Sequence, residues 1–182
     1  AWTSTHDYLV RHKGDTRALV LPGTGFAQQD WGWTLEEPLL AWDDVNFVTR
    51  SLVPLVPGQS VRFLTALNTA FNAGPGSAPL AGVLRTAGVG HVVVRRDLDR
   101  ASTGSPYPGL AARTATDAGL QRVAEFGPRM QGGSQIEIYE VPGAVTTPTA
   151  TPVDQVRTMS GSTEGVLAAR SARVVRETTP VV

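Results

Sequence analysis

Two carboxylates placed two residues apart are the first candidates for chemistry in this sequence. Asp97 and Asp99 follow the apolar run at 92–94, which is typical of a buried strand. Paired carboxylates at a strand end can hold a divalent cation against a diphosphate, because hard oxygen ligands suit Mg²⁺ and Mn²⁺. The pattern would fit a metal-dependent glycosyl or nucleotidyl transferase. The alternative is a salt-bridged loop, because Arg95 and Arg96 precede the pair.

A segment rich in tryptophan and carboxylates is the second candidate. Aromatic planes cover the apolar faces of sugar rings, and carboxylates accept hydrogen bonds from sugar hydroxyls. The segment therefore predicts a glycan-contacting face. The alternative is that two of its three tryptophans pack into the core while the acids are solvated. The residues that would form the face are Trp31, Trp33, Trp42, Glu36 and Glu37.

Other catalytic patterns fail at identifiable positions. Residues 23–28 lack the third glycine of a dinucleotide fingerprint, and Thr163 takes the place of the serine in a nucleophile elbow. His91 opens a predicted buried strand and is expected to be a core or edge residue. The absence of cysteine excludes a thiol nucleophile and a cysteine-ligated zinc. We therefore predict no catalytic residue and no cofactor, and expect a divalent metal only under the alternative that uses Asp97 and Asp99.

The charge balance and hydropathy of the sequence limit the partners that the chain can be expected to bind. The chain has 182 residues with 16 Lys+Arg and 16 Asp+Glu, so its formal net charge is zero. A nucleic-acid binder would carry a basic excess, so we predict no nucleic-acid partner. No apolar run approaches the ~20 residues that cross a bilayer, and the chain is not expected to span a membrane. Its first residues lack the basic and apolar regions of a signal peptide, and we expect a piece of a larger protein.

Alternating strands and helices must position these candidates. Apolar runs indicate strands, and an apolar stripe at period 3.6 indicates the clearest helix. The predicted strands cover residues 17–21, 45–48, 91–94, 121–126 and 136–141. The predicted helices are one capped by Ser4, then 60–72, 79–87 and a short one around 110–114. The last two strands predict a late hairpin, and the fold class is α/β, a mixed β-sheet flanked by helices.

A threonine- and proline-rich stretch divides the chain. Residues 1–145 are predicted to form the α/β domain, and residues 146–152 have the low complexity of a linker. Residues 153–182 are predicted to begin a following segment, with a strand over 153–158 and a helix over 162–171.

A series of stretches, in this order, resembles one known family. They are RALVLPGTG at 17–25, DWGWTLEEPL at 30–39, VTRSLVPLVPG at 48–58, AGVGHVVVRRDLD at 87–99, VAEFG at 123–127 and QVRTMSGSTE at 155–164. The series resembles the soluble extracytoplasmic region of the actinobacterial α-(1→3)-arabinofuranosyltransferases, membrane glycosyltransferases of the GT-C type. Members of that family also carry discoidin-like modules, so the resemblance implies a parent with a coagulation factor 5/8 type domain.

The resemblance implies a context rather than catalytic residues. In that family the catalytic acid is expected on a loop between membrane helices, outside the stretches matched here. The implied place is the extracytoplasmic face of the plasma membrane, and the implied partners are the rest of the parent protein and arabinan or another cell-envelope glycan. The expected function is a non-catalytic domain in cell-wall arabinan biosynthesis that either braces the transferase or contacts glycan. The alternative remains a free-standing metal-dependent transferase using Asp97 and Asp99.

Overall fold

One mixed sheet of five strands forms the centre of the fold. The computed structural model describes residues 1–12, 14–51, 57–74, 79–144, 146, 152–161, 163–176 and 181. The strands are β1 (Arg17–Leu21), β2 (Ala27–Gln29), β3 (Gly32–Leu35), β4 (Phe47–Thr49), β5 (Val89–Arg95), β6 (Gln121–Met130) and β7 (Gly133–Glu140). The sheet order is β4-β1-β5-β7-β6, with β1 parallel to β4 and β5, and β7 antiparallel to β5 and β6. The strands β2 and β3 pair as a separate antiparallel hairpin.

Helices cover both faces of this sheet. They are α1 (Trp2–His12), α2 (Gly58–Asn72), α3 (Leu80–Thr86), α4 (Arg100–Thr103), α5 (Pro108–Asp117) and α6 (Thr163–Ser171), with short 3₁₀ turns at Pro38–Ala41 and Val153–Gln155. Side chains of α2, α3, α5 and α6 fill the core on one face, and α1 with the first 3₁₀ turn fills the other. The predicted α/β class with its mixed sheet and late hairpin is confirmed. No helix within the described ranges is long and apolar enough to cross a membrane.

Strand β5 is buried on both sides, and all seven of its residues are buried. Successive side chains of a strand point to opposite faces. Val92 and Val94 therefore join the core beneath α2 and α3, whereas Val93 joins the core beneath α1. A strand covered on both faces has an unbroken apolar run, which is why the sequence alone identifies it.

Helix α1 begins at Trp2, before the predicted cap Ser4. The Trp2 side chain is only 7% exposed and packs in the core under α1 together with Leu9. The helix therefore includes residues ahead of the predicted cap, and the first of them contributes to the core.

The predicted strand over 153–158 is wrong. Val153–Gln155 forms a 3₁₀ turn, and Arg157 makes only an isolated bridge to Val181. Val153 is 89% exposed, so the first apolar residue of this segment is not buried against the sheet. Of the predicted linker at 146–152, all but residues 146 and 152 lie outside the described residues.

Helix α6 packs onto the domain formed by the preceding residues. Leu167 belongs to the same core as Leu67 and Phe71 of α2. Arg62 of α2 also donates from Nε to Glu164 Oε1 of α6 at 3.1 Å. The helix that follows the threonine- and proline-rich stretch therefore completes the face formed by α2 and α3.

We predict that Leu167→Ala lowers the free energy of unfolding by about 2 kcal/mol, the lower end for a buried leucine. The side chain lies at the edge of the core, where the cavity left behind can partly collapse. Urea unfolding followed by circular dichroism measures the change. Val153→Ala is the matched control, because removing methyl groups from an exposed side chain should change stability by less than about 0.5 kcal/mol. Equal midpoints for the two variants would show that α6 is not part of the core.

Candidate functional site

The hairpin β2–β3 is joined to the chain segment that follows β5. Asp30 donates its backbone N–H to the carbonyl of Asp97 at 2.8 Å, and Asp99 donates its backbone N–H to the carbonyl of Gln28 at 2.9 Å. The fold thus brings the predicted aromatic segment next to the predicted carboxylate pair, although 66 residues separate Trp31 from Asp97.

Asp97 is the buried anchor of this region. Its Oδ1 accepts from Arg95 Nε at 2.7 Å, and its Oδ2 accepts from the indole N–H groups of Trp2 at 2.6 Å and Trp31 at 2.8 Å. Burial alone would raise the pKa of Asp97, but the charge and hydrogen bond of Arg95 and the two indole donors hold it below its usual value. One carboxylate therefore ties α1 and the hairpin to the end of β5.

Arg95 balances two buried carboxylates. Its side chain is fully buried, with Nε bonded to Asp97 and Nη1 bonded to Glu37. The guanidinium also lies over the Trp2 ring, 4.8 Å from the ring centroid. When the Gln29 amide is oriented with its oxygen toward Arg95, that oxygen accepts from Nη2 at 3.3 Å. Each edge of the guanidinium thus faces an acceptor.

Glu37 does not lie on the exposed face to which the sequence assigned it. It is 6% exposed and its carboxylate pairs with Arg95. Burial raises the pKa of Glu37 and the neighbouring Asp97 adds to the shift, while Arg95 opposes it. Glu37 and Asp97 share one guanidinium, but their pKa values shift in opposite directions. Of the two carboxylates, Glu37 therefore holds a proton more easily.

Asp99 caps the short helix α4. Its Oδ1 accepts from the backbone N–H groups of Ala101 and Ser102, and its Oδ2 accepts from Ser102 Oγ at 2.7 Å. These hydrogen bonds lower the pKa of Asp99 and cap the first turn of α4. Asp97 and Asp99 are therefore committed to separate structural contacts, and the described residues contain no cluster of three or more His, Cys, Asp or Glu side chains placed to hold a metal.

The three tryptophans predicted to form the glycan-contacting face divide into two groups. Trp31 and Trp33 are 53% and 73% exposed, and both belong to the hairpin. Trp42 is half-buried and stacks on His6 of α1 with ring centroids 4.6 Å apart. His6 in turn contacts Asp44, which raises the pKa of its imidazole. Trp42 thus packs against α1, whereas the rings of Trp31 and Trp33 are exposed.

Further large apolar side chains in or near the hairpin are exposed, among them Leu35 and Leu40, which sequence reasoning missed. We call this set of exposed side chains the hairpin face. It consists of five side chains, each about half exposed or more: Phe26, Trp31, Trp33, Leu35 and Leu40. Glu36 is exposed beside it and remains available to accept hydrogen bonds. The face combines aromatic rings with aliphatic groups, and the ring of Trp31 is fixed from below by Asp97.

Comparison with known proteins gives consistent matches along the chain. The family model described as "Alpha-(1->3)-arabinofuranosyltransferase, N-terminal GT-C domain" matches residues 1–182. A Mycobacterium tuberculosis protein named alpha-(1->3)-arabinofuranosyltransferase is 40% identical over 131 residues, 69% of this chain and 9% of that protein. Its Mycolicibacterium smegmatis namesake is 38% identical over 128 residues, with the same shares.

A solved structure shares the fold. The cryo-EM structure of arabinofuranosyltransferase AftD from Mycobacteria superposes with a TM-score of 0.86 and 32% identity, over 98% of this chain and 15% of that one. In the two curated relatives, the matched region is less than a tenth of the length of the whole protein.

Proposed function

This chain belongs to the α-(1→3)-arabinofuranosyltransferase family, and on that premise we propose that it serves a membrane arabinofuranosyltransferase as a domain without catalytic residues of its own. The proposed setting is cell-wall arabinan biosynthesis at the extracytoplasmic face of the plasma membrane. The commitments of Asp97 and Asp99 to structural contacts support a non-catalytic role that needs no metal of its own. The rest of the longer protein is the proposed partner.

We propose in particular that the hairpin face contacts arabinan. The observation that carries this is the geometry of Trp31, whose ring is 53% exposed while its indole N–H is held by the buried Asp97. A ring that is exposed and already fixed loses little side-chain freedom when a sugar stacks on it. Trp33 adds a second exposed ring on the same hairpin, and Glu36 adds a carboxylate for sugar hydroxyls.

The aliphatic members of the hairpin face favour a second role, bracing the rest of the transferase. Leu35 and Leu40 are each about half exposed, and leucine offers nothing to a sugar hydroxyl. Five large apolar side chains exposed within residues 26–40 are more than isolated surface residues, and such groups often pack against another protein element. Bracing would bury the hairpin face in the longer protein, whereas glycan contact would leave the rings open.

We predict that arabino-oligosaccharides shift the indole N–H signals of Trp31 and Trp33 in a saturable NMR titration of the chain. Trp33→Ala should raise the Kd by about tenfold, because it removes one stacking ring worth about 1 kcal/mol or more. Val153→Ala is the matched control, since it shortens an exposed apolar side chain outside the hairpin face and should leave the Kd within about twofold.

The outcomes separate the two roles. If neither indole signal moves, the glycan contact is wrong and bracing remains. In the full-length transferase, a cysteine-reactive label at Trp33→Cys would then be blocked by the neighbouring element. Rapid labelling of Trp33→Cys in that protein would contradict bracing.

A further inference from the structure

A cavity of about 530 Å³ lies between α5 and the hairpin β6–β7. Arg95 and Arg96 are adjacent, and because successive strand residues face opposite ways, Arg95 enters the buried cluster while Arg96 borders this cavity. Arg113 of α5 and Arg122 of β6 border it as well. Three guanidinium groups therefore surround one cavity.

The floor of the cavity is a buried ion pair. Arg96 is 3% exposed, and it donates from Nη1 to the Ser134 carbonyl at 2.9 Å and from Nη2 to Glu137 Oε2 at 3.1 Å. Glu137 Oε2 also accepts from the Tyr139 hydroxyl at 2.9 Å. Burial first, and then the charge of Glu137, raise the pKa of that phenol, so Tyr139 remains a neutral donor.

Close backbone approach makes room for this arrangement. A Cβ added at Gly133 would collide with the Arg96 guanidinium and come 2.6 Å from Glu137 Oε1. A Cβ at Gly109 would collide with the Tyr107 ring, which forms a wall of the cavity. Gly133 and Gly109 therefore occupy positions where a side chain would displace the Arg96–Glu137 pair or the Tyr107 ring.

The unused hydrogen-bonding capacity of the cavity is dominated by donors. Arg113 is exposed and has no hydrogen bond or ion pair within the described part of the chain. Arg122 uses only Nη1, in contacts of 3.5 Å with Glu125 and Glu137. Arg96 Nε is buried and finds no partner among the described atoms. Against these donors stands one carboxylate without a partner in the described structure, that of Asp117 at the end of α5.

The hydroxyl groups of the cavity wall donate their hydrogens to carbonyl groups within the protein. Tyr107 donates to the Gln131 carbonyl at 2.9 Å, and Thr116 donates to the Ala112 carbonyl at 3.1 Å. Because their hydrogens are committed, these two hydroxyls offer the cavity only neutral acceptors, whereas its free donors are charged guanidinium N–H groups. An oxyanion needs only donors, and guanidinium groups bind phosphate oxygens in a bidentate fashion.

We propose that the cavity between α5 and the hairpin β6–β7 binds a phosphate group, held by Arg113 and Arg122 above the buried Arg96. The same chemistry is presented by a soluble phosphate and by a lipid phosphate headgroup. The site is separate from the hairpin face and does not depend on glycan binding there.

The test is a titration of the isotopically labelled chain with sodium pyrophosphate, against sodium chloride at equal ionic strength. We expect saturable shifts of backbone amides in residues 107–117 and 131–133. The double variant Arg113→Gln/Arg122→Gln should raise the Kd by about tenfold or more, since each lost charge-assisted bond contributes about 1.5 kcal/mol or more. Arg129→Gln is the matched control, because it removes an exposed arginine of β6 that does not border the cavity. It should leave the Kd within about twofold.

Phosphatidic acid vesicles form the second arm and distinguish the source of the phosphate. Binding of either probe that is lost in the double variant supports the site, and the tighter probe identifies its source. Shifts that fail to saturate, or that are equal in the double variant and the Arg129→Gln control, overturn the proposal. Saturation of the same amides by neutral arabinose in place of pyrophosphate also overturns it. Both exchanged arginines are exposed, so unchanged amide signals outside the cavity confirm that each variant is folded.

Discussion

Arg95→Met is expected to lower the free energy of unfolding by about 3–5 kcal/mol. Methionine fills much of the volume of the arginine stem, so the loss arises from charge rather than from a cavity. The substitution leaves Asp97 and Glu37 buried with no cation between them. Removing one partner of a buried ion pair costs far more than the pair contributes, because the remaining charge stays desolvated.

Urea unfolding followed by tryptophan fluorescence measures this loss. Arg129→Met is the matched control, because the same substitution at an exposed position should change stability by less than about 0.5 kcal/mol. Adding Glu37→Gln to Arg95→Met should recover part of the loss, since one of the two unpaired carboxylates is then neutral. A loss below about 1 kcal/mol for Arg95→Met would contradict the buried cluster described here.

The strands of the main sheet and the helices that cover it could be predicted because their apolar side chains recur with the period of a strand or a helix. Strand β5 has an unbroken apolar run, and α2 has one apolar stripe ending at Phe71. The hairpin β2–β3 could not be predicted, because its strands have only three and four residues and β3 is mostly exposed. It is held by backbone bonds to residues 97 and 99, which leave no pattern in the local sequence.

The candidate site could be predicted only in part. The choice of Trp31 and Trp33 follows from residue type, but the sequence predicts no role for Trp2 and predicts a surface position for Glu37. Arg95 forms an ion pair with Glu37, which is 58 residues away along the chain, and Arg96 forms one with Glu137, which is 41 residues away. A pair of arginines that continues an unbroken buried strand is the signal that points to buried partners on both faces. It does not identify which acids those partners are.

Asp97→Asn is expected to lower the free energy of unfolding by about 2–4 kcal/mol at neutral pH. An amide has one acceptor oxygen, whereas the carboxylate serves Arg95 on one oxygen and two indoles on the other. Whichever way the amide is turned, its N–H₂ group faces a donor. The Trp31 indole loses its fixed position, and fluorescence emission should shift to longer wavelength as that ring becomes more hydrated.

Asp99→Asn is the matched control two residues away. Asparagine caps a helix about as well as aspartate, so this variant should lose less than about 1 kcal/mol. The two variants also separate the structural role of Asp97 from the metal-ligand alternative. Paired metal ligands would lose metal affinity together and leave the stability of the metal-free chain nearly unchanged. A large loss of stability for Asp97→Asn alone supports the anchor.

The pH dependence of that loss has a definite sign. Because the pKa of Asp97 is lowered in the folded chain, its carboxylate stabilises the fold above the unfolded pKa of about 4, and this contribution disappears as the pH falls through the folded value. The difference between the wild type and Asp97→Asn should therefore be full above about pH 5 and shrink on acidification. Glu37 acts in the opposite direction, because its pKa is raised above 4.5 and its ionisation costs stability as the pH rises. Glu37 is present in both proteins, so this cost largely cancels in the difference between them. A difference between the two proteins that grows below pH 4 would contradict this assignment of charges.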